Sequence, residues 1–163
     1  TRSAWRHGVI VTLAIVLGAW WVHRAADLDV FRLQGLERKY VELGRYASSH
    51  LPAGTVVLAA QPAGSIRHYA KLATLSWDAI DPAWLDRVLK ELRAGGRTPM
   101  IAIESFELAA FRSHFAGHSP LASLDWPPRA DLGRAILVYD PADRARYLAG
   151  EQIRTERINW PVR

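Results

Sequence analysis

The residues best suited to chemistry lie in the segment QPAGSIRHYAK, which follows the apolar stretch TVVLAA at residues 55–60. If that stretch is a strand, Gly64 and Ser65 form the turn at its carboxyl end, and Arg67 and His68 enter the next helix. Backbone N–H groups at such a turn attract anions, glycine lets a ligand approach the backbone, and basic side chains add positive charge. The pattern therefore predicts a ligand-binding turn for a phosphate or another polar group.

The same turn has a simpler interpretation, in which Ser65 caps an ordinary connecting helix and the basic side chains are solvated. The segment does not match the GxGxxG pattern of dinucleotide sites, and it lacks the Walker Gly-Lys-Ser/Thr sequence. It also departs from the GxSxG nucleophile elbow, because Ala63 and not serine occupies the middle position. A nucleotide site and a serine hydrolase are disfavoured, and the ordinary turn stays open as an alternative.

A second group of candidates consists of carboxylates near the ends of predicted strands, namely Asp78, Asp81 and Glu104. Together with His68 they could hold a divalent cation or act as acid and base. Their spacing matches no metal motif, however, and both aspartates are well placed to cap helices. We therefore expect caps, and we expect neither a cofactor nor a metal site in this chain.

Large aromatic side chains offer a different chemistry, the stacking of a sugar ring. The candidates are Trp77, Trp84, Trp126 and Tyr139. Core packing is the favoured interpretation, because large aromatic residues dominate the cores of small domains.

The amino-acid composition excludes several further classes of function. The 163 residues include 18 Arg and 3 Lys, carry a formal net charge of +5 and contain no cysteine. The lack of cysteine excludes disulfides, thiolate metal sites and cysteine nucleophiles. No run of five or more basic residues is present, so nucleic acid is not an expected partner. Near a bilayer, the positive charge would favour anionic head groups.

An uncharged segment, GVIVTLAIVLGAWWV, occupies residues 8–22. Counted from Trp5 it would span roughly 27 Å as a helix, close to the ~30 Å of a bilayer core. Trp5 at one end and Trp20 and Trp21 at the other resemble interfacial aromatic belts. We predict a transmembrane helix over residues 5–24, with a buried core helix and a signal peptide as alternatives.

Residues 28–150 alternate between apolar stretches and helical periodicity. An amphipathic helix is expected over residues 30–50, and further helices over 65–72, 82–94 and 106–115, the last capped by Ser105 with Phe106 on its apolar side. Strands are expected at residues 55–60, 73–77, 99–104 and 135–140, with a short edge strand at 121–126. This order predicts a small three-layer α/β domain with a mainly parallel sheet, followed by a loose polar tail over residues 151–163.

Several phrases, taken in order, resemble a known family. They are AGSIRHYAKLATLSWD, DPAWLDRVLKELRAGGRTPMIAIESFELAAFRSHFAG, LDWPP and ILVYD. They are similar to the C-terminal hydrophilic region of bacterial polytopic membrane proteins classed with dolichyl-phosphate-mannose protein mannosyltransferase-like, or GT-C type, glycosyltransferases. The resemblance covers about residues 36–140. It implies that residues 8–22 are a last membrane helix and that the rest is an extracytoplasmic domain at the bacterial inner membrane.

The resemblance also implies where the chemistry lies. GT-C enzymes carry their catalytic acidic residue in the first extracytoplasmic loop of the membrane part, so no residue of this chain inherits a catalytic role. Their donor is a polyprenyl-phosphate sugar, and many members use a divalent metal, which is expected in the parent enzyme. Since the chain begins at Thr1 and not at Met, we expect a fragment of a longer protein or a processed product.

The implied local role is accessory. The domain would seat the acceptor or the lipid-linked donor, or stabilise the membrane-helix bundle of the same parent chain, with the lipid bilayer as a further partner. The alternative is a single-span protein whose α/β domain binds a partner protein and catalyses nothing.

Overall fold

The computed structural model describes residues 2–28, 30 and 33–159. The chain divides into two compact units, Thr1–Glu37 and Arg38–Arg163. The first unit is built around helix α1 (Arg2–Asp27).

Helix α1 carries the predicted membrane segment. Within it, Trp5–Asp27 is a stretch of 23 residues that contains an 18-residue window with a mean hydropathy of 1.7, and none of that window is buried inside the structure. By length and composition it is the one helix in the described part of the chain that could cross a membrane. Its large apolar side chains are exposed, as a lipid-facing helix requires.

A sheet of six strands organises the second unit, in the order β2-β1-β3-β5-β4-β6. The strands are β1 (Thr55–Leu58), β2 (Ala73–Leu75), β3 (Thr98–Glu104), β4 (Ala130–Leu132), β5 (Ile136–Tyr139) and β6 (Glu156–Ile158). β1 runs parallel to both β2 and β3, and β4 runs parallel to β6. β5 is antiparallel to both of its neighbours, so the sheet is mainly, not wholly, parallel, as predicted.

Helices cover both faces of this sheet. On one face lie α2 (Leu33–His50) and α3 (Ala63–Ser65) with the π-helical turn Ile66–Ala70, and on the other lie α4 (Leu85–Ala94) and α5 (Leu108–Phe115). A further helix, α6 (Asp143–Leu148), follows β5. Short 3₁₀ turns occupy Trp77–Ala79, Pro82–Trp84, Ser105–Glu107 and Pro120–Ser123.

The strands β1, β3 and β5 bury both of their faces, which explains their nearly continuous apolar sequences, whereas β2 and β6 at the two sides of the sheet are largely exposed. In β1, Val57 packs into the core under α2, whereas Leu58 packs into the core under α4 and α5. The same alternation separates Met100 from Ile101 in β3. The domain therefore has three layers, with one core on each side of the sheet.

Local signals explain where α4 begins and ends. The Asp81 carboxylate accepts a hydrogen bond from the backbone N–H of Ala83 at 2.9 Å, and Pro82 occupies the first turn. Gly96, with φ of +71°, follows the last turn in the left-handed region that favours glycine. The predicted helix is thereby confirmed, with its first turn in 3₁₀ geometry.

Three local expectations are wrong. Residues 121–126 form no edge strand, because Pro120–Ser123 is a 3₁₀ turn that Ser119 caps by accepting from the N–H of Leu121. Phe106 is 65% exposed, so the core side of α5 consists of Phe111 and Phe115. The tail is not loose throughout, because β6 extends the sheet along β4.

The start of α5 also differs from expectation. Ser105 does not cap the helix. Instead, the side chain of Glu107 accepts a hydrogen bond from the backbone N–H of Glu104, as in the returning half of a capping box.

A close approach between α2 and the π-helical turn predicts a stability effect. A Cβ added at the buried Gly44 would lie 2.3 Å from Cβ of Tyr69, so the two segments would have to separate. We expect Gly44→Ala to lower the free energy of unfolding by about 1–2 kcal/mol, since overpacking outweighs the gain in helix propensity. Urea unfolding of the full chain in detergent, followed by circular dichroism, measures this.

Gly64→Ala is the matched control, because a Cβ at Gly64 meets no atom within 4 Å. We expect it to be neutral or slightly stabilising. Equal stability of the two variants would show that α2 does not touch Tyr69 this closely.

Candidate functional site

The connections of the parallel strands create a crevice at their carboxyl ends. β1 lies between β2 and β3, so the chain leaves β1 towards one side and then crosses to the other. Ligands of open α/β sheets bind at such a reversal of strand order. Here the structure has an open crevice of about 460 Å³, lined by Ala60, Gln61, Ser76, Trp77, Asp78, Phe106, Glu107 and Ala110.

Each group in the crevice comes from a segment that follows a parallel strand. Gln61 follows β1, Ser76 and Asp78 follow β2, and Phe106 and Glu107 follow β3. The parallel register brings these three chain segments to one edge of the sheet. The residues are therefore close in space although they are up to 46 positions apart in sequence.

Glu107 connects the two loops that follow β1 and β3 in the crevice. Its side chain is buried, and one oxygen accepts from the backbone N–H of Gln61 at 3.2 Å while the other accepts from that of Glu104 at 3.0 Å. A carboxylate that accepts two backbone N–H groups holds both loops in place. The role of Glu107 is thus to position the loops after β1 and β3.

Glu104, at the end of β3, is only 1% exposed and joins α2 to the same edge. The Lys39 ammonium donates to one of its oxygens, and the Tyr40 hydroxyl donates to the other at 2.5 Å. The Lys39 ammonium also lies 5.9 Å from the centre of the Phe106 ring. The buried Glu104 carboxylate is therefore paired with a partly exposed ammonium group that lies near the exposed Phe106 ring.

The polar groups that a ligand can reach in the crevice are a hydroxyl, a carboxylate and an amide. The exposed Ser76 hydroxyl donates to Asp78 at 2.5 Å, which leaves the carboxylate with free acceptor positions. Gln61 is exposed and offers both an amide acceptor and an amide donor. With the exposed Phe106 ring, these groups suit a ligand that has hydroxyls on its edges and an apolar face.

Trp77 forms part of the same crevice but belongs mainly to the core. It is buried and packs edge-on against Phe111, with ring centres 5.4 Å apart. Among the described residues, its indole N–H has no acceptor. Leaving a buried hydrogen-bond donor without an acceptor costs about 1–3 kcal/mol of folding free energy. The core therefore contains an unsatisfied hydrogen-bond donor beside the crevice.

The turn predicted to bind a polar group lies next to the crevice in sequence but does not line it. Gly64 and Ser65 belong to the three-residue helix α3, and Arg67 and His68 belong to the π-helical turn. The Arg67 and His68 side chains are exposed, and the His68 ring packs edge-on against Tyr69 at 4.7 Å. The four residues thus share one turn, and their binding of a polar group stays a prediction.

The acidic candidates separate into three roles. Asp78 lines the crevice, Asp81 caps the turn before α4, and Glu104 pairs with Lys39 and Tyr40. The described residues contain no group of three or more His, Asp or Glu side chains placed to share a metal ion.

The aromatic candidates mostly pack in the core, as expected. Trp77, Trp126 and Tyr139 are buried, and Trp126 donates its indole N–H to the Asp140 carbonyl at 3.0 Å. Trp84 differs, since it is 54% exposed and has the Arg87 guanidinium 5.5 Å from its ring centre.

Sequence reasoning missed Lys39, Tyr40, Gln61 and Glu107. One local signal was available for Glu107: Glu104 and Glu107 stand three apart at a strand-to-helix junction, the spacing at which a side chain returns to the helix start. No family model, no curated protein and no solved structure matches the chain.

Proposed function

We propose that this chain is the accessory, membrane-tethered domain of a GT-C-like glycosyltransferase, and that its crevice seats the sugar of a lipid-linked donor or of the acceptor. The observation that carries the proposal is the crevice at the carboxyl ends of β1, β2 and β3, with Gln61, Asp78 and Phe106 in its lining. The family itself enters from the resemblance of the phrases between residues 36 and 140. Helix α1, which is long and apolar enough to cross a membrane, supports the attachment to the membrane in this proposal.

The chemistry of the crevice favours a sugar over a more highly charged ligand. Sugar hydroxyls donate to carboxylate and amide oxygens, which Asp78 and Gln61 supply. The C–H face of a sugar ring packs on an exposed aromatic ring, which Phe106 supplies. The Asp78 carboxylate repels an anion, so a phosphate is better placed outside the crevice than inside it.

The proposal assigns no catalytic step to this chain. The transfer chemistry, and any divalent metal that serves it, belongs to the membrane part of the parent enzyme. The side of the membrane is likewise part of the proposal: an extracytoplasmic domain at a bacterial inner membrane meets lipid-linked sugars where they are used.

Binding of polyprenyl-phosphate hexoses to the full chain in detergent micelles, measured by isothermal titration calorimetry, tests the proposal. We expect Asp78→Asn, Gln61→Ala and Phe106→Ala each to weaken binding about 2- to 10-fold, the effect of one modest contact. Glu91→Gln, an exposed carboxylate outside the crevice, is the matched control and should leave binding unchanged.

The double variant Arg67→Ala/His68→Ala separates the crevice from the turn predicted from sequence. If that variant loses binding while the crevice variants retain it, the turn at Arg67 and His68 is the site and the crevice is not. If none of the hexoses binds, the sugar-seating role is wrong.

A second candidate function, a single-span module that binds a partner protein, has one observation in its favour. An open, mainly apolar groove on α4 is lined by Trp84, Val88 and Leu92, with Arg87 and Glu91 beside them. The coding sequence upstream of Thr1 discriminates between the two functions. Several further hydrophobic spans there support the glycosyltransferase, and a start codon directly before Thr1 removes it.

A further inference from the structure

A larger cleft lies at the opposite ends of the strands from the crevice. β4 runs in the same direction as β3, because each is antiparallel to β5, so the amino ends of β4 and β6 lie away from the crevice. There the structure has a cleft of about 670 Å³, lined by Tyr46, His50, Arg129, Arg154, Thr155, Glu156 and Arg157. This volume falls in the range of small-molecule sites.

Positive charge predominates in this cleft. Arg154 and Arg157 are exposed and make no ion pair or side-chain hydrogen bond with the described part of the chain. Among the described residues, Glu156 is the one acidic residue in the lining, and His50 lies 3.6 Å from its carboxylate. Within that part of the chain, Arg154 and Arg157 therefore have no paired carboxylate.

A third guanidinium, that of Arg129, is held in a fixed orientation. Asp143 is fully buried and accepts from Arg129 through two nitrogens, one of them at 2.8 Å. The Nη2 atom of Arg129 also lies 3.5 Å from the Asp140 carboxylate, so Nη1 is the nitrogen of this 40% exposed side chain that can face a ligand. The buried carboxylate therefore acts as the support of an arginine that lines the cleft.

Tyr46 adds a neutral donor. Burial raises the pKa of its phenol and the nearby Glu156 charge raises it further, while the Arg129 charge partly offsets the rise. The hydroxyl therefore keeps its proton at neutral pH and can donate it. The His50 ring stacks on the Tyr46 ring at 4.6 Å, which fixes the orientation of the phenol.

From this arrangement we infer that the cleft binds a phosphate-bearing anion through Arg129, Arg154 and Arg157, with the Tyr46 hydroxyl as an additional donor. The planar fork of arginine matches phosphate oxygens with paired hydrogen bonds, and three arginines can approach a tetrahedral group from different sides. The volume leaves room for a group attached to the phosphate. The inference rests on different residues from the sugar proposal and does not depend on it.

Titration of the full chain in uncharged detergent with inorganic pyrophosphate, at low and fixed ionic strength, tests the inference. We expect Arg154→Gln/Arg157→Gln to weaken pyrophosphate binding at least about tenfold, since two charge-assisted contacts are lost. Glu156→Gln should strengthen it about threefold, because it removes the one carboxylate in the lining.

The matched control is Lys90→Gln/Arg93→Gln, which removes the same net charge from exposed positions on α4 outside both clefts. It should change the affinity less than about twofold. Equal weakening by the control and the cleft variant would show attraction by net charge alone and would overturn the inference. So would a wild-type chain that binds pyrophosphate no more tightly than about 10 mM.

Competition with dihexanoyl phosphatidylglycerol, used below its micelle concentration, distinguishes two sources of the phosphate. Displacement of bound pyrophosphate identifies a lipid head group as the natural class of ligand. Binding of pyrophosphate without displacement identifies a soluble phosphate compound. Both results support a phosphate site in the cleft.

Discussion

Replacing Lys39 with methionine should lower the free energy of unfolding by about 3–5 kcal/mol, the usual cost of leaving a buried charge without its partner. The Lys39 side chain is 21% exposed, whereas that of Glu104 is 1% exposed. In the variant, the Glu104 carboxylate would keep one donor, the Tyr40 hydroxyl, and no cation. Chemical unfolding of the full chain in detergent at pH 7 measures the loss.

The double variant Lys39→Met/Glu104→Met tests the reason for that loss. It removes both charges and keeps side chains of similar volume, so most of the lost stability should return. Lys90→Met, at an exposed position, should change stability by less than about 0.5 kcal/mol. A Lys39→Met variant as stable as Lys90→Met would contradict the buried pair.

The second large effect is expected at Asp143. This side chain is fully buried, accepts from Arg129 through two nitrogens and also accepts from Arg146 at 2.9 Å. Asp143→Ala should lower the free energy of unfolding by about 2–3 kcal/mol, because the charge-assisted hydrogen bonds that converge on this buried carboxylate are lost. The same unfolding measurement at pH 7 gives the value.

Glu151→Ala is the control for this change. Glu151 also contacts Arg146, at 2.8 Å, but its side chain is 51% exposed. Exposed ion pairs contribute about 0–1 kcal/mol, so the control should lose little. If both variants lost the same amount, burial of Asp143 would not be what makes its ion pairs valuable.

The parts of the fold that local sequence determines were predictable. The β1 and β3 sequences are apolar along their length because helices cover both faces of the sheet. The α4 boundaries follow from Asp81, Pro82 and the two glycines after the helix. In each case the deciding residues lie within a few positions of one another.

The parts of the fold that depend on pairing between distant segments were not predictable from the sequence. β4 and β6 have three residues each, too few to show a hydrophobic period. They exist because β4 pairs with β5 on one side and with β6 on the other. Lys39 and Glu104 are 65 positions apart, so nothing in their sequence neighbourhoods indicates that they meet.

The candidate site was also predictable from the sequence only in part. The carboxyl ends of the parallel strands were predictable as the place where a ligand would bind. Which side chains line that edge was not, because it depends on how the loops after β1 and β3 are held by Glu107. The crevice therefore includes Trp77 and Asp78 from the predicted groups and excludes Arg67 and His68.

The most direct measurement of the sugar-binding role is a map of amide chemical shifts in the full, isotope-labelled chain in detergent micelles, with and without polyprenyl-phosphate hexoses. The predicted result is that the largest changes fall on Gln61, Ser76, Asp78 and Phe106, and that polyprenyl phosphate without a sugar produces none there. Changes that fall elsewhere, or equal changes with the sugar-free lipid, would contradict a sugar site in the crevice.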